Sequence, residues 1–192
     1  MMKFGVLALQ GAFRKHKLML EHCGVKAIEV KTAEELDDVD GLVIPGGEST
    51  TIGKMMVDWG LLGKIQTRAA AGMAIYGTCA GMILLAKDIV GSDQPRLGLM
   101  DVSVRRNAFG RQRESFEADL SVTAFGNSPV RAVFIRAPFI EKAGAAVKVM
   151  ATVDQNIVIA RQGNMLVTAF HPELTKDDRI HKYFINMVQG KA

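Results

Sequence analysis

Short apolar runs alternate with amphipathic segments through the first half of the chain. Residues 3–9 (KFGVLAL) form a strand-like run that ends at Gln10-Gly11. Residues 12–23 then place Phe13, Leu18, Met19 and Leu20 on a helix, with Gly24 just past its end. Residues 26–30, 41–44 and 73–76 predict three further strands, and residues 48–57, 61–71 and 79–87 predict helices between or after them. Strands this short, joined by helices of about ten residues, imply parallel pairing, because only a long crossover returns the chain in the same direction. Beyond residue 100 the texture changes. Residues 101–105, 120–123, 132–136, 147–153, 156–161 and 165–170 are strand-like, with hairpin turns expected at Gln155-Asn156 and Gly163-Asn164, and residues 178–188 predict a closing helix. The expected architecture is one α/β domain over residues 1–192, a mixed and mostly parallel central sheet flanked by helices.

Composition narrows the class. With 48% hydrophobic and 23% charged residues in 192, the chain has the material for a single sizeable core and is neither disordered nor fibrous. Residues 69–86 carry no charge, a length that touches the membrane-span threshold, but Gly72, Gly77 and Gly81 interrupt them. A strand, a tight turn and a buried helix account for them better. The apolar run 4–9 is followed by Arg14, Lys15 and Lys17, the reverse of a signal peptide, so a cytoplasmic protein without membrane association is expected. Two cysteines, Cys23 and Cys79, exclude a disulfide framework. The net charge of +4 permits a nucleic-acid partner without demanding one. Its densest cluster, Arg105, Arg106, Arg111 and Arg113, is interleaved with Phe109 and Phe116 but runs straight into Glu114 and Glu117, and no nucleic-acid motif accompanies it. A carboxylate-binding arginine is the more economical reading, and no nucleic-acid partner is expected.

In a parallel α/β sheet, ligands bind beyond the carboxyl ends of the strands. The chemically capable residues fall there: Gln10 after the first strand, Gly46-Gly47-Glu48 after the third, Cys79 after the fourth and His171 after the last. Gly77-Thr78-Cys79-Ala80-Gly81 has the spacing of a nucleophile elbow, whose glycines make room for a sharp strand-to-helix turn. The helix N-terminus at that turn favours thiolate, and the Ala80 N–H stands where an oxyanion donor would be. A nucleophilic thiol needs a base, and the base an orienting group; His171-Pro172-Glu173 supplies both within three residues. Pro45-Gly46-Gly47-Glu48-Ser49 follows a buried strand, and the Gly47 N–H could complete an oxyanion hole. It lacks the order of a phosphate-binding P-loop. His16, His22 and Cys23 do not have the spacing of a metal site, His16 and His22 are expected on different sides of the first helix, and Cys23 is expected to be structural.

The elbow followed far downstream by His-Pro-Glu resembles the class I, triad-type glutamine amidotransferases, which have a flavodoxin-like fold. Residues 41–51 (GLVIPGGESTT), 106–112 (RNAFGRQ), 116–119 (FEAD) and 134–138 (FIRAP) narrow the resemblance to the glutaminase subunits of pyridoxal 5′-phosphate synthases, over nearly the whole chain. The resemblance implies a Cys79, His171 and Glu173 triad that hydrolyses L-glutamine through a glutamyl thioester. It implies a glutamine site lined by Gly47, Glu48, Ser49, Arg106, Ile135 and Arg136, with Gly47, Ala80 and Gln10 at the oxyanion region. It also implies a (β/α)₈-barrel synthase subunit that receives the ammonia. Pyridoxal phosphate is then a product of the complex, and this chain needs no cofactor and no metal. The alternatives are a glutaminase serving another synthase, such as imidazole glycerol phosphate synthase, and a non-catalytic interaction module of the same fold.

Overall fold

The computed structural model describes residues 2–107 and 115–192. Arg111, Arg113, Phe109 and Glu114 of the basic cluster lie outside the described residues. The first half builds β1 (Lys3–Leu7), α1 (Phe13–His22), β2 (Lys26–Val30), α2 (Ala33–Asp37), β3 (Gly41–Ile44), α3 (Ser49–Asp58), α4 (Leu61–Ala70), β4 (Ala74–Thr78) and α5 (Ala80–Leu85). The second half continues with β5 (Ala86–Ile89), β6 (Met100–Arg105), β7 (Ser115–Leu120), β8 (Val130–Ile135), β9 (Phe139–Ala143), β10 (Lys148–Val153), β11 (Asn156–Gln162), β12 (Met165–Thr168) and α6 (Arg179–Val188).

The main sheet runs β2-β1-β3-β4-β12-β11-β9-β6-β5, with β10 also on β11, and β7-β8 form a separate hairpin. Pairing from β2 across to β12 is parallel throughout, and the antiparallel ladders of β9 to β12 follow on one side, so the sheet is mixed as expected. β3 and β4 are buried at every position, which is why they read as continuous apolar runs rather than alternating ones. Consecutive residues of β4 face opposite layers. The Tyr76 ring meets Phe184 and His181 of α6 and His16 of α1, whereas Gly77 faces Gly81 and Leu85 of α5. Helices therefore cover both faces. Among the described residues, no helix is long and apolar enough to cross a membrane. The uncharged stretch 69–86 resolves into the end of α4, then β4, the turn and α5.

Several elements differ from the sequence expectation. β1 and β12 each stop two residues early, releasing Ala8-Leu9 and Ala169-Phe170 into the loops that carry Gln10 and His171, and β4 runs two residues further, to Thr78. The helix expected to 87 ends at Leu85, and Lys87 lies in β5, because the chain re-enters the sheet beside β6. α2 was not anticipated. It is set by a capping box in which the Thr32 hydroxyl accepts from the Glu35 N–H and the Glu35 carboxylate accepts from the Thr32 N–H. The strand expected at 120–123 is displaced to β7, with a 3₁₀ turn at Thr123–Phe125. β7 alternates Phe116, Ala118 and Leu120 against Glu117 and Asp119, and Phe116 stacks on Phe134 of β8 at 4.4 Å between centroids. β9, rich in charge, was also not anticipated; it pairs with β6. The β10–β11 turn sits one residue earlier than expected, at Asp154-Gln155, both with positive φ as a tight two-residue hairpin turn requires.

Candidate active site

Four neighbouring parallel strands, β1, β3, β4 and β12, end at one edge of the sheet, and the loops leaving them build a cleft of about 270 Å³. Gln10 comes from the loop after β1; Gly47, Glu48 and Ser49 from the loop after β3; Cys79 and Ala80 from the turn after β4; and His171 from the loop after β12. Arg106 closes one side, and Ile135 and Arg136 at the end of β8 close another. Every candidate residue singled out above therefore reaches this cleft except Glu173, which is buried behind His171.

The turn after β4 is held in a conformation that side chains rarely adopt. Cys79 has φ 49° and ψ −101°, and its N–H donates to the Thr168 carbonyl at 2.8 Å, tying it to β12. Asn107 and Arg136, at φ 46° and 42°, also line the cleft, so strained backbone gathers at the site. Gly81 lets the turn close: a Cβ there would stand 2.2 Å from the Ile44 carbonyl oxygen. Gly46 leaves room for the imidazole, since a Cβ there would lie 2.4 Å from His171 Cε1. The Gln10 side-chain oxygen accepts from the Glu48 N–H at 2.8 Å and so pins the Gly46-Gly47-Glu48 backbone. Ala80 opens α5, so its N–H has no acceptor within the helix.

His171 is anchored by its own N–H, which donates to the Val133 carbonyl of β8 at 2.9 Å. Its Nδ1 lies 2.8 Å from Glu173 Oε1. Burial opposes a charge on this ring. Hydrogen bonds with Cys79 and Glu173, together with the negative charge of each, outweigh it and push the imidazole up to about 10. Burial also opposes the Glu173 charge, but the His16 ring and the hydrogen bond from His171 bring that carboxyl down to about 2. The arrangement is a thiol, an imidazole and a carboxylate in series, with the thiol at the floor of an open cleft.

Three residues at the site escaped the sequence reading. Gln94, in the loop between β5 and β6, accepts through Oε1 from Arg106 Nη1 at 2.6 Å and from the Ser49 hydroxyl at 3.3 Å, joining two sides of the cleft. No motif marks it. His16, expected to be an ordinary helix residue, is fully buried with its Nε2 3.3 Å from Glu173 Oε2, and fully buried His181 touches its other nitrogen at 2.9 Å. Burial holds His16 below the usual imidazole value, with His171 adding to the effect and Glu173 opposing it; burial and His16 drive His181 to about 3.

These shifts predict a pH window. The raised His171 contributes stability that is complete below its ordinary 6.5 and is lost as pH rises through about 10. The lowered Glu173 contributes stability that is complete above 4.5 and is lost as pH falls through about 2. Between pH 6.5 and 4.5 neither changes, whereas His181, driven to about 3, stays neutral in the fold and charges when the chain unfolds, and the lowered His16 acts in the same direction. Stability should therefore fall as pH drops through that window, approaching about 1.4 kcal/mol per pH unit from His181. Urea unfolding at several pH values should show the slope, and His181→Leu should make it shallower; an unchanged slope would contradict the neutral-ring assignment.

A Gly-x-Cys-x-Gly elbow at the carboxyl edge of a parallel sheet, with a His-Glu pair delivered by a neighbouring strand, is an arrangement suited to thiol-based acyl transfer. The chain belongs to the SNO glutamine amidotransferase family, whose profile matches residues 6–190. It is 57% identical to the pyridoxal 5′-phosphate synthase subunit PdxT of Moorella thermoacetica, over 97% of this chain and all of that one. It is 56% identical to the PdxT subunit of Geobacillus kaustophilus, over 98% of this chain and 95% of that one. A crystal structure of a glutamine amidotransferase superimposes with a TM-score of 0.92 at 49% identity, covering 97% of this chain and 98% of that one.

Proposed function

We propose that this chain is the glutaminase subunit of a pyridoxal 5′-phosphate synthase. It hydrolyses L-glutamine to glutamate and passes the ammonia to a (β/α)₈-barrel synthase subunit. The observation that carries the reading is the Cys79-His171-Glu173 series at the floor of the cleft, in a chain similar to PdxT subunits along nearly its whole length. Cys79 Sγ attacks the side-chain amide carbon, and the oxyanion that forms is held by the Gly47 and Ala80 N–H groups. His171 carries the proton to the leaving nitrogen, the C–N bond breaks, and ammonia departs from a glutamyl thioester. Water then attacks the thioester, its proton passing to His171 and on to the departing thiolate, and glutamate is released. Glu173 holds the imidazole with its Nδ1 proton inward. Arg106, steadied by Gln94, and Arg136 suit the α-carboxylate of glutamine, and Glu48 suits its ammonium group. Gln10 supports the oxyanion loop through the Glu48 N–H.

In this reading the chain works as a single domain in the cytoplasm, and the ammonia is used by a separate synthase subunit, as the likeness to a pyridoxal 5′-phosphate synthase subunit supports. Ammonia release from glutamine by the chain, with and without the barrel subunit, tests the function; no release in either condition would sink it. A glutamine-like diazoketone should label Cys79 stoichiometrically and spare Cys23, whose thiol burial and the nearby Asp178 charge push up in pKa. Peptide mapping that finds the label on Cys23 instead would contradict the assignment.

A further inference from the structure

Beneath the triad lies a buried polar cluster that the reaction above does not use. His16 on α1 and His181 on α6 are fully buried, and their rings meet between α1, α6 and β4 with the edge of Tyr76 beside them. Two histidines in a core are costly unless their polar atoms are engaged. His16 is engaged on both sides. Its Nδ1 is 2.9 Å from His181 Nε2; its Nε2 is 3.1 Å from Thr78 Oγ1 and 3.3 Å from Glu173 Oε2. Thr78 directly precedes Cys79, so one imidazole touches both the residue before the thiol and the carboxylate behind His171.

The partners decide where the protons sit. A carboxylate only accepts, and the His181 Nδ1 is buried with no partner. If His16 carried its proton on Nδ1, its bare Nε2 would face the Glu173 oxygen lone pair to lone pair. His181 would also have to hold its own proton on the unpartnered Nδ1, a buried unsatisfied donor. With both protons on Nε2 the repulsion and the orphaned donor are removed: His181 donates to His16, His16 donates to Thr78 with Glu173 Oε2 3.3 Å from the same nitrogen, and only a bare ring nitrogen of His181 is left unpartnered. Glu173 Oε1 is already taken by His171; its buried Oε2 makes no hydrogen bond of its own, and the His16 Nε2 lies 3.3 Å from it. We propose that His16 is a positioning residue of the triad: its ring, set by His181 and Thr78 with the proton on Nε2, presents that N–H 3.3 Å from the otherwise unpartnered second oxygen of Glu173 and so steadies the carboxylate that orients His171. His16 touches neither substrate nor thiol and acts through Glu173 alone. The role rests on the glutaminase reading only for the reaction it serves.

The chain has four histidines, so nitrogen-15 spectra of the histidine-labelled full chain are readily assigned. At pH 7 His16 and His181 should both be neutral with the proton on Nε2; a His16 proton on Nδ1 overturns the proposal. His16→Leu keeps apolar volume and removes the donor, and His16→Gln returns an amide N–H to the same side. With the barrel subunit present, His16→Leu should lower kcat for glutamine hydrolysis by about tenfold or more, with KM within about twofold. Alkylation of Cys79 by iodoacetamide at pH 7 should slow by about the same factor, and His16→Gln should restore most of both losses. A folded His16→Leu chain alkylated as fast as the parent overturns the positioning role whatever the ammonia assay gives. Absence of ammonia release from every form, with tautomers and alkylation as expected, overturns the glutaminase reading and leaves the positioning role standing. Should His16→Leu fail to fold, the tautomer measured on the unsubstituted chain decides.

Discussion

Cys79→Ala is expected to lower the kcat of ammonia release from glutamine by at least about a thousandfold, because it removes the sulfur on which the proposed thioester forms. The fold should survive, since the side chain is small and sits at the cleft floor with 8% of its surface exposed. Comparing two inactive variants reads out a second property of the position. Cys79 holds φ 49°, a value alanine tolerates no better than cysteine, whereas glycine adopts it freely. Cys79→Gly should therefore be more stable than Cys79→Ala by about 1 kcal/mol, in spite of the greater flexibility of its unfolded chain. Retained hydrolysis in either variant would refute the nucleophile. Equal midpoints for the two in denaturant would show that the turn is not strained, and that its geometry costs the fold nothing.

Gly81→Ala should have the largest effect on folding. The added methyl would stand 2.2 Å from the Ile44 carbonyl oxygen and 3.1 Å from its carbon, backbone atoms of a fully buried central strand. No rotamer change can relieve the clash. Either the elbow opens or β3 shifts, and repacking of this kind costs about 3 kcal/mol or more, a large part of the roughly 5–15 kcal/mol that holds a domain together. Denaturation midpoints and soluble yield measure it, and Gly63→Ala is the control. Gly63 lies inside α4 with nothing within 4 Å of where a methyl would stand, so that substitution should stabilise the chain by about 0.5–1 kcal/mol. If Gly81→Ala were as stable as the control, the elbow would not be closely packed against β3.

Legibility in the sequence followed how local each signal was. β3 and β4 were readable because strands buried on both faces are continuous apolar runs, and α1 and α6 because their apolar positions recur with the helical period. α5 was overextended, since Leu85 and Ala86 look alike in a helix and in a strand; pairing of β5 with β6, a partner met only after residue 100, ended it. β7 hid because Glu117 and Asp119 alternate with its apolar residues, and only the facing strand β8, which brings Arg131 to both carboxylates and Phe134 to Phe116, makes sense of them.

The site divides along the same line. Cys79, His171 and Glu173 carry their chemistry in short motifs, and the rule that ligands gather at the carboxyl ends of parallel strands assigned them to one edge. By itself, then, the sequence determined the α/β class, the elbow, the His-Pro-Glu pair and the glutamine-pocket candidates. Gln94 and His16 have no such local mark. Gln94 comes within reach of Ser49 and Arg106 only when the loop after β5 folds back over α3, and His16 meets Glu173 and His181 only when α1 and α6 pack on the same face of β4. The tertiary structure alone decided which buried nitrogens face the Glu173 carboxylate. A hydrogen bond between residues 165 apart in the chain, as between His16 and His181, depends on distances that no local pattern encodes.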